Sequence, residues 1–204
     1  MTHRHRDAHR IRMLLAQECA RIMVVEGIQD FRTAKRKAAF RLAVTDKGVM
    51  PDNAEIERAL LDYQRLFHAD RQAIRLRGLR ETALEAMRFL AHFRPRLVGS
   101  VLSGTAGPHA HIHLHLFADT PKDVLMFLME RRVPFETTER RLKLGNGDHA
   151  CLPVFRFDAG DHHIDLTVFA PPAEREAFWS LVDGRPMRRA GQAEVQSLLA
   201  QDPP

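Results

Sequence analysis

No stretch of this sequence approaches the roughly 20 consecutive apolar residues that a bilayer-crossing helix needs, so no membrane partner is expected. Cysteine is scarce. Cys19 and Cys151 lie far apart without CxxC spacing and are read as buried thiols. The opening Met-Thr-His-Arg-His-Arg-Asp-Ala-His-Arg has no apolar segment or cleavage site behind it. It therefore does not read as a secretory leader, and the chain is expected to be soluble and cytoplasmic. Aromatic residues make up only 7% of the chain, which leaves few platforms for stacking nucleic-acid bases. Hydrophobic residues, at 45%, are plentiful enough to exclude wholesale disorder.

Charge is unevenly shared. Residues 1–97 carry a net charge of +8 and residues 98–204 a net charge of −3. A basic half can meet phosphate or nucleic acid, with Lys35-Arg-Lys37 and Arg71, Arg75, Arg77 and Arg80 as the candidate contacts. Solvated helix faces explain the same composition, and Arg71, Arg75 and Arg77 do not all share a helical face. His3, His5 and His9 are read as part of a charged, frayed tail rather than a chelate.

Periodicity divides the chain into a helical region, 1–94, and an α/β region, 95–204, an α+β architecture in which a helical bundle precedes a mixed sheet flanked by helices. Leu15, Cys19, Ile22 and Met23 share one helical face, with Gly27 as the stop. A basic segment follows over about 30–43. Asp52 or Asn53 caps a helix with the stripe Ile56, Leu60, Tyr63, Phe67, and a fourth helix carries Leu76, Leu79, Ala83, Met87 and Leu90. After Pro95 come predicted strands at Arg96–Leu102, His111–Phe117, Leu152–Phe157 and His163–Phe169. Thr120-Pro-Lys-Asp123 opens a helix through about Arg131, and Asn146-Gly147 marks a tight turn. Short helices around Glu174–Leu181, with Trp179 in the core, and Gln192–Ala200 end the chain.

Seven of the twelve histidines fall between positions 109 and 163. Side chains alternate along a strand, so His111, His113 and His115 face one way while Ile112, Leu114 and Leu116 face the core. His163, Asp165 and Thr167 repeat the pattern. If the two strands are neighbours, imidazoles and a carboxylate converge on one sheet face. That donor set suits Zn²⁺, Mn²⁺ or Fe²⁺ better than Mg²⁺, with His111, His113, His163 and Asp165 as ligands. The bland alternative is a set of hydrogen-bonded histidines on the polar side of a half-covered sheet.

The stretch Gly99-Ser-Val-Leu-Ser-Gly-Thr105 followed by His111-Ile-His113, with Asp165 in a later strand, resembles the core of polymerase-β-type minimal nucleotidyltransferases. The likeness covers roughly residues 95–170, and the whole chain looks similar to bacterial proteins with such a domain. It implies that Gly99, Ser100, Gly104 and Thr105 hold nucleotide phosphates. In the family an Asp-x-Asp pair binds two Mg²⁺ ions and a third carboxylate helps activate the attacking oxygen. Here His111 and His113 stand at the Asp-x-Asp positions, Asp165 matches the third carboxylate, and Ser103 stands where the family often has a basic residue. The replacement implies an altered or degenerate site that binds a nucleotide, a divalent metal or both, with His113 and Asp165 as its chemical centre. Arg140, Arg141, Lys143, Arg185, Arg188 and Arg189 are possible rim contacts to phosphate, though isolated arginines are more often solvated.

His111-Ile-His-Leu-His-Leu-Phe117 also resembles, over seven residues, the motif of histidine-triad nucleotide hydrolases and transferases, which would make His113 a nucleophile. A β-rich stretch should precede that motif, and helices do so here.

Overall fold

A computed structural model of the protein describes residues 2–67, 69–143, 149–176 and 186–202. Packing divides the chain into two compact units, with the division inside the fourth helix after Gln72.

The first unit is helical: α1 (Thr2–Val25), α2 (Phe31–Arg41) and α3 (Asn53–Phe67). Nothing between Thr2 and Val25 breaks a helix, so the charged N-terminal segment read as a frayed tail is the first part of α1. Gly27 leaves the helical path at φ +67°, and the Asp30 carboxylate accepts the Thr33 N–H at 2.7 Å to start α2. At α3 the cap is reciprocal: Asp52 accepts the Glu55 N–H at 2.7 Å, and the Glu55 carboxylate accepts the Asp52 N–H at 2.8 Å. Leu15, Cys19, Ile22, Ala34, Ala38 and Ile56 form the core. Burial pushes the Cys19 thiol up to about 11, so it is an unreactive core group.

The second unit holds the rest of α4 (Ala69–Phe89), then β1 (Arg96–Val98), α5 (Ser100–Ser103), β2 (Ile112–Phe117), α6 (Pro121–Glu130), β3 (Glu136–Lys143), β4 (His149–Ala159), β5 (His162–Phe169) and α7 (Gln192–Gln201). The strands form one mixed sheet in the order β1-β2-β5-β4-β3; only β2 and β5 run parallel. The fold is therefore α+β, with helices preceding the sheet. One sheet face supplies Leu97, Ile112, Leu114, Leu116, Ile164, Leu166 and Val168 to a core completed by Leu79, Ala83 and Met87 of α4, Leu90 just after it, Val124 and Leu128 of α6, and Val195 of α7. The Asp123 carboxylate accepts the Thr120 N–H at 2.9 Å, so the capping box forms as the sequence indicates.

Three expectations change. The strand predicted over Arg96–Leu102 stops at Val98, because Gly99 turns the chain at φ +76° into α5. Glu136–Lys143 is a strand with no apolar alternation to announce it, since it lies at the sheet edge. Cys151 is exposed rather than buried, on β4 opposite Arg141. After β5 the described chain forms one 3-10 turn, Pro171–Glu174. Asn146-Gly147, Trp179 and Arg185 lie outside the described residues. Among the described residues no helix is long and apolar enough to cross a membrane.

Candidate functional site

The histidine and aspartate positions meet because of strand register. β2 and β5 pair so that His113 lies beside Asp165 and His115 beside Thr167. On the flanks, Val98 pairs with His113, Arg156 with Asp165, and Asp158 with His163. Paired residues share a face. The apolar residues between them fix that face as the one turned away from the core.

Asp165 is the centre. Its side chain is 1% exposed, and cationic groups surround it. Arg156 of β4 grips it with two bonds, Nε to Oδ1 at 2.7 Å and Nη2 to Oδ2 at 3.3 Å. Arg140 reaches in from the edge strand β3 and donates Nη2 to Oδ2 at 3.0 Å. The Nδ1 atoms of His111 and His113 each stand 3.4 Å from a carboxylate oxygen. Burial pushes the Asp165 carboxyl up, but its hydrogen-bonded neighbours, Arg156 among them, outweigh it and hold the group well below the usual carboxylate range. Burial lowers the His113 imidazole, aided by the Arg140 charge and opposed by Asp165, so the ring is neutral near pH 7.

The other histidines differ in setting. His163 is exposed and directs Nδ1 at Asp158, and its ring centroid lies 4.9 Å from that of His111. His111 and His113 are 6.3 Å apart by the same measure. His115, read as part of the row, is buried against Phe169 with centroids 4.5 Å apart. Among the described residues neither its Nδ1 nor the Thr167 hydroxyl has a hydrogen-bond partner. Burial, and then the charges of Arg189 and Arg140, hold the His115 imidazole well below its ordinary value.

Gly99 lies directly beside His113: a Cβ built on it would sit 3.4 Å from the ring carbon Cδ2. Ser100 follows at the start of α5. Gly104 (φ +86°) and Thr105 shape the turn behind them, where the Thr105 N–H bonds to Ser100 O and its hydroxyl meets the Ser103 hydroxyl, both at 2.9 Å. The register thus brings Gly99, His111, His113 and Asp165 together, with His163 beside His111.

Two arginines complete the cluster. Arg140 is among the rim residues noted from sequence; Arg156 is not, since a lone arginine in a strand carries no motif. Five of the other named cations go elsewhere. Arg188 pairs with Glu194, and Arg189 lies over the Phe117 and Phe169 rings, 5.6 Å from each centroid. Arg80 is buried and bonds Asp202 at 2.6 Å and the carbonyl of Val101 at 3.2 Å, so it cannot serve a phosphate-tracking surface. Arg77 pairs with Glu81, and Lys37 with Glu26.

The donor set does not fit a divalent cation as it stands. Asp165, the one carboxylate in the expected ligand set, is occupied by two guanidinium groups. Among the described residues no three His, Cys, Asp or Glu side chains are arranged to hold a metal ion. An open cavity of about 310 Å³ lies at the far end of β2, lined by Phe93, Phe117 and Asp119, and none of the cluster borders it. In comparisons with known proteins the chain matches no family model, no curated protein and no solved structure.

Proposed function

We propose that the protein is nucleotidyltransferase-like and binds the phosphates of a nucleotide through built-in cations instead of Asp-bound Mg²⁺. The observation that carries this reading is the double arginine grip on Asp165, which matches the family's third carboxylate. Two guanidiniums against one carboxylate leave one net positive charge at Asp165, an electrostatic setting for an anion. Each guanidinium has five N–H donors, and Arg156 uses two on Asp165, leaving others for phosphate oxygens. Gly99 leaves open space against the His113 ring, and Ser100 follows it in the chain. The protein binds its nucleotide in the cytoplasm.

The test is thermal stability with ATP, ADP and pyrophosphate, in chelator and with Mg²⁺ or Zn²⁺. Ligand at a hundred times its Kd should stabilise by about 2.7 kcal/mol. We expect that gain in chelator, and its loss in Arg156→Ala. Binding that requires Zn²⁺, Mn²⁺ or Fe²⁺ would instead support metal held by His111, His113 and His163. A nucleotide-sized mass increase lost in His113→Gln would establish the histidine-triad-like reading. Salt-dependent RNA or DNA binding without nucleotide binding would move the function to the basic helical region.

A further inference from the structure

The surroundings of His113 Nδ1 are contradictory for a fixed hydrogen bond. The atom lies 3.4 Å from Asp165 Oδ2, an acceptor, and 3.4 and 3.5 Å from Arg140 Nη1 and Nη2, both donors. A neutral imidazole carries one proton, so Nδ1 either donates to Asp165 or accepts from Arg140. Oδ2 already receives Nη2 of both Arg140 and Arg156. A proton on Nδ1 would also face the N–H groups of a cation. The arrangement thus favours a bare Nδ1 and a proton on Nε2, and in that tautomer Nε2 is a hydrogen-bond donor with no lone pair to offer.

Arg140 is the movable partner. Arg156 holds the carboxylate with two bonds from an interior strand, whereas Arg140 makes one bond to it from the edge strand. Building on the nucleotide-binding reading, we infer that Arg140 is a positioning residue that sets the tautomer of His113. At rest it keeps the ring proton on Nε2. A phosphate that draws the guanidinium off Asp165 frees Oδ2, and the ring proton moves to Nδ1, where it is donated to Asp165. Nε2 is then left with its lone pair facing the ligand, ready to accept a proton or to attack. The site arms its central histidine only when a phosphate-bearing ligand is present, and water alone meets a donor.

Ring-nitrogen ¹⁵N spectra of the full chain test this directly, with inorganic pyrophosphate as the probe and His113→Gln to assign the signals. We expect free protein to show His113 with Nδ1 bare and Nε2 protonated, and the reverse at saturating pyrophosphate. Arg140→Ala, a change on an edge strand, should place the proton on Nδ1 without any ligand. A protonated Nδ1 in the free wild-type protein would overturn the inference, as would binding with no change of tautomer. Site resonances that do not move at all with pyrophosphate would overturn the phosphate-binding reading itself, a different failure.

Discussion

At the scale of single residues, Asp165 sets a definite pH dependence. Its folded-state pKa lies below the usual value, so the stability it supplies is complete above about pH 4 and is lost as pH falls below that. Asp165→Asn should cost about 1–3 kcal/mol at pH 7, less than a fully buried pair because both guanidiniums are partly exposed. Urea unfolding from pH 7 to pH 2 should show the variant flatter than wild type below pH 4. His115 acts at higher pH. Its lowered pKa means that the unfolded chain takes up a proton first, so stability is full above about pH 6.5 and erodes below it. His115→Leu removes that proton and a buried nitrogen without a described partner, and should gain about 1 kcal/mol at pH 7. The gain should be larger at pH 5.5 than at pH 8, measured by the same method. The period-two histidines were legible in the sequence because alternation with Ile112, Leu114 and Leu116 fixes their face. What each histidine does was not legible, because partners from other strands decide it: Arg140 and Asp165 for His113, Phe169 for His115.

At the scale of elements, Arg80 ties three together. From α4 it donates to the Val101 and Leu102 carbonyls that α5 leaves without helical partners, and it pairs with Asp202 at the end of α7. Truncating one member of a buried pair strands the other charge, so Arg80→Met should cost about 3 kcal/mol. A shift of the guanidinium denaturation midpoint with unchanged slope would check it. In the sequence Arg80 is one of five arginines on a basic helix, and no local signal separates it from the others; its partners are 22 and 122 residues away. Capped elements were readable for the opposite reason. Asp52 with Glu55 and Thr120 with Asp123 act within four residues, so their sequence is their mechanism. β3 escaped notice because an edge strand need not bury a face, and Glu136-Thr-Thr-Glu-Arg-Arg141 has none to bury.

At the scale of the whole molecule, composition places a boundary near Pro95, while packing divides the chain inside α4. The difference has a physical origin: Leu79, Ala83 and Met87 of that helix, and Leu90 just after it, belong to the sheet's core. A fragment of residues 73–204 should therefore unfold cooperatively, whereas 95–204, stripped of those four side chains, should not. Calorimetry on both fragments distinguishes them, and equal cooperativity would show that α4 is dispensable.

The position of β3 has one more consequence. Its backbone bonds reach a single neighbour, β4, so it can peel from the sheet without disturbing the core. Arg140 sits on that strand, and any anion it grips must be released before the strand can leave. Ligand binding and local opening are then linked equilibria, and a tenfold excess of ligand over its Kd should slow amide exchange across 136–143 by about tenfold. Amides of β2, which exchange only when the whole unit opens, should slow through global stabilisation alone. Exchange at one frayed edge would thus report the occupancy of a site at the centre of the sheet.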